Sequence, residues 1–346
     1  MKGLTSYSGL TTKIKAMKSR LLSESDFLTL ADFQDIRDAV NYLRQFPAYE
    51  PYLETEEENS VSRVQTELLL RQSLYHDFLK LYRFANAQQR AFLNGYFRRY
   101  ELYFIKICAH TAAGHLSMDL NLEAFGDYIS KHSKINFLKL GRAVTLEEFN
   151  SVLADSDYRD VVEIFLNMNT DSLFDLEMLL DIHHFRHLWK NRLQYVTKWE
   201  AASLEKILGS KFDILNIQWI HRSKEYYNLP MAEIYASIIP ISYHLSNDTL
   251  RAMIEAETPR ALETLIRSCY YGRHYSDFNS TTLEPMYSEI MKALLRQASG
   301  REPYSFSTVY SYLYYKEHEV ERLSIALECV RYHVPSDRAA QLLKGR

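Results

Sequence analysis

Leu138-Lys139-Leu140-Gly141, then a helix starting at Thr145, then Leu153 and Tyr158: this stretch decides the fold, because it has two counterparts elsewhere in the chain. The first is Leu28-Thr29-Leu30-Ala31, then a helix, then Leu43 and Tyr49. The other is Met253-Ile254-Glu255-Ala256, a helix starting at Thr258, then Leu265 and Tyr270. Leu28 to Leu138, Leu43 to Leu153 and Tyr49 to Tyr158 are nearly equal steps of about 110 residues, and the steps on to Met253, Leu265 and Tyr270 are close to the same. A separate landmark repeats at nearly that period. Glu101-x-x-Phe104-Ile105, Asp213-x-x-Asn216-Ile217 and Glu319-x-x-Arg322-Leu323 each open a helical run with an acid. Solenoid repeats of the tetratricopeptide or armadillo kind span only about 34 to 47 residues, so this period fits a larger multi-helix unit. The sequence therefore predicts three units, at residues 1–115, 116–228 and 229–346, with approximate boundaries.

Outside these landmarks the pattern is helical. Leu10, Ile14, Met17 and Leu21 fall on one helix face, with Lys13, Lys15, Lys18 and Arg20 on the others. Thr55-Glu56-Glu57-Glu58 has the form of a capping box ahead of a helix reaching Phe84, and Asn86 begins another that reaches His110. Further helices are predicted near residues 145–153, 156–168, 172–194, 199–208, 212–228, 248–256, 259–269, 282–298, 307–332 and 336–344. Thr258-Pro259 is a start signal, an N-cap oxygen followed by proline at the first helical position. No sustained alternation of apolar and polar residues calls for a sheet. The fold class is all-α.

Composition agrees and removes several functions. The 346 residues include only 10 Gly and 8 Pro, too few for a chain rich in turns and strand bends. Aromatics reach 13%, with 26 Tyr, which excludes disorder for most of the chain. The formal charge of −3 lacks the basic surplus of a general nucleic-acid binder. Cys108, Cys269 and Cys329 are far apart, which suits a reducing compartment and argues against structural zinc. The opening segment Met1-Lys2-Gly3-Leu4-Thr5-Ser6 lacks the apolar core of a signal peptide. Glu233, His244, Pro230 and Pro240 interrupt the least polar stretch, residues 229–245, so no membrane span is expected.

The chemistry-bearing motifs are sparse. There is no phosphate-cradling G-x-x-x-x-G-K-[ST], no G-x-G-x-x-G and no G-x-S-x-G elbow. His183 and His187 are four apart and share a helix face, so both could reach one ion. No glutamate follows the first histidine, and Arg186 and Lys190 disfavour a cation. A helix with partly exposed histidines between core residues Leu180 and Leu188 accounts for the same pattern. Glu317-His318-Glu319 reads as a charged helix surface, since helix neighbours point about 100° apart and do not converge. Glu54, Glu56, Glu57 and Glu58 read as a helix N-terminus favoured by the macrodipole. The basic N-terminal helix reads as a solvated face packed on the body, or as a helix lying on an anionic membrane. Tyr310, Tyr312, Tyr314, Tyr315, Tyr270, Tyr271 and Tyr275 suit either interface anchors or helix packing. No residue is assigned to catalysis, metal or cofactor binding.

The stretch Tyr312-Leu313-Tyr314-Tyr315-Lys316-Glu317-His318-Glu319-Val320-Glu321-Arg322-Leu323 resembles the carboxy-terminal signature of the C/d subunit family of V-type and A-type ATPases (ATP synthases), where a Lys-Glu-x-Glu-Ile-x-Asn-Leu run is usual. Glu177-x-x-Leu180-Asp181, Asp213-Ile214-Leu215-Asn216-Ile217 and Arg222-x-Lys224 resemble the same family's middle unit. Tyr7-Ser8-Gly9-Leu10, the basic helix and Leu21-Leu22-Ser23-x-x-Asp26 resemble its opening. Arg322 departs from the usual asparagine, Phe104 does so in the first unit, and Glu257 stands where a glycine often precedes the third helix. The resemblance implies a helical funnel of three units with pseudo-threefold symmetry, present once per complex and without catalysis. It implies a place on the cytoplasmic face of the membrane, as a peripheral rotor part of the central stalk. Its partners would be the central shaft subunits, seated in the mouth of the funnel, and the membrane rotor ring of proteolipid subunits. It implies torque passed between them for ATP-linked H⁺ or Na⁺ transport, with no direct nucleotide binding and no nucleic acid. The alternatives are an unrelated helical scaffold that binds partner helices, and an enzyme with a diffuse site around His183, His184 and His187.

Overall fold

The computed structural model describes residues 3–53, 63–114, 132–168, 170, 172–275, 278 and 282–344. Every regular element among them is helical. In chain order these are α1 (Leu4–Lys18), α2 (Glu24–Ala31), α3 (Ile36–Arg44), α4 (Glu50–Leu53), α5 (Arg63–Phe84), α6 (Ala87–Ala112), α7 (Phe137–Leu140), α8 (Leu146–Val152) and α9 (Arg159–Leu166). Then follow α10 (Leu173–Tyr195), α11 (Ala201–Glu225), α12 (Met231–Ser237), α13 (Asn247–Glu255), α14 (Pro259–Ser268), α15 (Tyr270–His274), α16 (Leu283–Arg301), α17 (Phe306–Arg331) and α18 (Ser336–Lys344). The capping box at Thr55 and the acidic run from Glu54 lie outside the described residues. Several short helices start where the sequence supplies a cap. Ser23 forms a capping box with Asp26, while Asp35, Asn136, Thr145, Ser246 and Thr258 each accept a backbone N–H from the first turn.

The chain forms two compact units. One comprises Met1–Asn86 and Glu284–Arg346, so it draws on both ends of the chain. Its axis is α17, against which α1, α2, α3, α5 and α18 pack. Phe306, Tyr310, Leu313, Val320, Leu323 and Leu327 are all buried, and so are polar residues on its other faces. A helix enclosed on most sides buries whatever its sequence places there, and only the face of Glu321 stays open. This corrects the reading of Glu317-His318-Glu319 as a surface: the three are 8%, 8% and 4% exposed. Helix α1 buries Tyr7, Leu10, Thr11, Ile14 and Met17, and the Thr11 hydroxyl donates to the Pro303 carbonyl at 3.2 Å. Its apolar stripe is taken up by α5 and α17, which leaves Lys15, Lys18 and most of the small polar residues to solvent.

The other unit is Ala87–Leu283. Helix α6 lies along α10, α10 also contacts α9 and α11, and α12 to α14 gather around α11. The sequence predicts a break between 208 and 212, whereas α11 runs unbroken from Ala201 to Glu225. Gly209 explains the difference. A Cβ there would collide with the Tyr243 ring, so the glycine admits an aromatic ring and does not end the helix. Helices α12 and α15 are short and have no counterpart among the helices the sequence predicts; Pro230 opens the first of them.

Candidate functional site

The three acids of the second landmark lie near the middle of three long helices, α6, α11 and α17, and all are buried. Glu319 and Asp213 each accept a hydrogen bond from a buried tyrosine, and Glu101 shares a cavity with the buried Tyr158. On α17 the Glu319 carboxylate accepts from the Tyr49 hydroxyl at 2.5 Å, from Lys316 Nζ at 2.7 Å and from the Leu22 backbone N–H at 2.6 Å. Lys316 Nζ also donates to the Tyr49 oxygen at 2.8 Å. Arg322, one turn further on, donates to both oxygens of Glu24 at 2.7 and 2.6 Å and lies 3.9 Å from the centre of the Phe27 ring. Burial, then the Glu319 charge, pushes the Tyr49 hydroxyl well above its ordinary pKa. The hydrogen bond from Arg322 holds the Glu24 carboxyl below the usual range.

In the other unit the Asp213 carboxylate accepts three consecutive backbone N–H groups, from Tyr243, His244 and Leu245 at 3.1, 2.6 and 3.1 Å. It also accepts from the Tyr271 hydroxyl at 2.9 Å. Burial pushes its pKa up, and these four hydrogen bonds pull against that. One turn on, the Asn216 side chain exchanges two 2.9 Å hydrogen bonds with the backbone of Ile239. The third acid, Glu101, is pushed up by burial and opposed by Ser133. It lines a cavity of about 320 Å³ together with Arg98, Ser133, Asp157, Tyr158 and His187. Arg98 donates to Asp157 at 2.9 Å and lies over the Tyr158 ring at 5.4 Å, while Phe104 meets Phe137 edge-on at 5.9 Å.

The three arrangements share one plan. The acid addresses the chain just ahead of a short helix: Leu22, Ser133, or Tyr243 to Leu245. The residue three before it, Lys316, Arg98 or Ser210, stands beside the tyrosine. The residue three after it, Arg322, Phe104 or Asn216, meets the short-helix segment or the chain leading to it. The geometry also corrects the phase of the third copy. The buried residues there are Met253, Ile266 and Tyr271, not Leu265 and Tyr270. Counted from Leu140, Leu153 and Tyr158, these three are displaced along the chain by one and the same step. Tyr270 stacks instead on His244, with ring centres 3.7 Å apart. The acids are legible in the sequence; the residues three before them are not, because Lys, Arg and Ser share no side-chain type.

The histidines are placed differently. His183 and His187 do share a face, with ring centres 6.5 Å apart, and His187 Nδ1 is 3.4 Å from Asp157. Asp157 is already paired with Arg98. Burial, then Arg98, lowers the pKa of both histidines, His187 to about 4. Burial drives His184 well below its ordinary value. Among the described residues no three His, Cys, Asp or Glu are grouped to hold an ion. Cys108, Cys269 and Cys329 are buried free thiols, and burial pushes Cys108 up to about 12. Of the tyrosine clusters, Tyr271, Tyr310 and Tyr312 are core, and Tyr312 donates to Asp77 at 2.6 Å. Exposed aromatics lie elsewhere: Phe174 and Tyr227 in ring contact at 6.4 Å, Tyr226, and Tyr235 on the helix that follows. No helix among the described residues is long and apolar enough to cross a membrane.

Comparison with known proteins gives this architecture a family. Residues 10–342 match the model of the ATP synthase (C/AC39) subunit. The A-type ATP synthase C subunit of Methanosphaera stadtmanae is 22% identical, over 97% of this chain and 87% of its own. That of Pyrococcus furiosus is 22% identical over 98% and 90%, and that of Methanothermobacter thermautotrophicus 22% over 90% and 81%. The matched span takes in all three acids and their tyrosines. The chain belongs to the ATP synthase (C/AC39) subunit family.

Proposed function

We propose that this chain is a non-catalytic rotor subunit that joins the central shaft of a V/A-type ATPase to the membrane ring of proteolipid subunits. It passes torque between them for ATP-linked H⁺ or Na⁺ transport, as one copy per complex, peripheral on the cytoplasmic face. Its form is a funnel of three related units with pseudo-threefold symmetry, near residues 1–115, 116–228 and 229–346. The observation that carries this reading is the repeated acid–tyrosine plan at Glu319, Glu101 and Asp213, within a chain of this family. Three helices each fastened by buried polar contacts to the segment they hold form a body that resists shear, as a torque-bearing part must. Packed interiors transmit strain because they compress little. The relatives' names, each an A-type ATP synthase C subunit, support membership of such a complex. Neither direct nucleotide binding nor nucleic-acid binding belongs to the role.

The test is removal and return of the protein in reconstituted membranes. Without it, the head should still hydrolyse ATP while ATP-driven ion pumping stops, and adding the purified chain back should restore pumping. Membranes that pump normally without it would overturn the proposal.

A further inference from the structure

The three acid–tyrosine nodes occupy matching places on their helices and differ in chemistry. At Asp213 the flanking positions on the helix are Ser210 and Asn216, both neutral, and at Glu101 they are Arg98 and Phe104. Only on α17 do all three positions carry charge, as Lys316, Glu319 and Arg322. These residues are 1%, 4% and 7% exposed. Burying charges costs desolvation, which a hydrogen-bonded partner must offset, so a fully ionic row is an expensive way to make a contact that Ser and Asn make elsewhere.

Chain connectivity separates this node from the others. Asp213 holds Tyr243 to Leu245 and Tyr271, at separations of 30 to 58 residues. Glu319 holds Leu22 and Tyr49 across 297 and 270 residues, and Arg322 holds Glu24 across 298. Closing a longer loop costs more chain entropy, and no short connection presents the segment in the right register. Residue-specific charge pairs supply that register: Arg322 engages both oxygens of Glu24, and Lys316 fixes the Tyr49 hydroxyl against Glu319. Buried polar groups serve as register devices in the same way in coiled coils.

We propose that Lys316, Glu319 and Arg322 form an ionic latch that fastens the N-terminal segment 22–53 onto the C-terminal helix α17. The latch makes this segment a cooperative unit that opens from α17 when its charge pairs are removed, while residues 87–283 stay closed. It is a conformational device of the unit built from the two chain ends, and it stands whether or not the rotor role holds.

Hydrogen exchange on the purified full-length chain tests this. Glu319→Gln keeps the size of the side chain and removes its charge; Glu24→Gln, at the exposed end of the latch, is the milder partner variant. Both should speed exchange in 22–53 and in the facing part of 306–331, at least tenfold for Glu319→Gln, and leave 201–225 and 243–275 unchanged. Asp213→Asn should do the reverse, speeding 243–275 and sparing 22–53. If Glu319→Gln does not fold, Glu24→Gln alone decides, since its change is local and the side chain is mostly in solvent. Exchange in 22–53 that is unchanged in Glu24→Gln, or that rises there together with 243–275, would overturn the latch.

Discussion

Gly209 shows what a single residue carries in this molecule. Helix α11 continues through it, and the Tyr243 ring occupies the space where a Cβ would stand. Gly209→Ala raises helix propensity but forces the ring aside, and overpacking of this kind costs roughly 1–3 kcal/mol. The expected outcome is a lower urea midpoint for the variant, with the far-UV spectrum unchanged; a midpoint equal to or above the parent's would reject the account. Gly209 also marks a limit of sequence reading. A glycine within an apolar run looks the same whether it ends a helix or admits a ring from a later segment, and only the fold tells these apart. Glu317 and His318 mark the other limit. Their charge reads as surface, and nothing local reveals that other helices enclose them.

At the scale of elements the sequence is most legible where caps and periodicity coincide. Thr258-Pro259 begins α14 and Thr145 begins α8, each accepting a backbone N–H from its first turn, as their side chains predict. Helices too short to show a period, such as α12 and α15, escape because five to seven residues hold fewer than two helical turns. The caps themselves are testable. Thr258→Ala and Asp35→Ala should each lower stability by about 1 kcal/mol in denaturant titrations, and Gly in the same place by only a few tenths. If the two alanine variants unfold with the parent, the capping contacts contribute nothing and the short helices depend on burial alone.

For the molecule as a whole, buried titratable groups set a pH response. His183, His184 and His187 all have folded pKa values below 6.5, first through burial. Between about 6.5 and about 4 the unfolded chain binds protons that folded His187 refuses, so stability falls as pH drops through that window. Glu101 and Asp213, raised by burial, act with the opposite sign. A comparison with His187→Gln, which retains both acids, isolates the histidine. The variant should lose less stability than the parent between pH 7 and pH 5, read as the shift in urea midpoint, and parallel losses would refute the assignment. The long period, visible in Leu and Tyr positions, leads to the repeated plan within both units. What the sequence conceals is the partner of each acid, because contact across 270 residues leaves no spacing to read.

The three enclosed thiols have a practical consequence. Cys108, Cys269 and Cys329 are buried and unpaired, and their pKa values are raised. The thiolate is the form that attacks a maleimide, so the native chain should take up the reagent slowly while it stays folded. Tyr332→Cys, at a position 67% exposed, would then accept a fluorophore at one chosen point without any native cysteine being replaced. Such a labelled chain, returned to a surface-tethered complex, would test one molecule at a time whether the subunit turns.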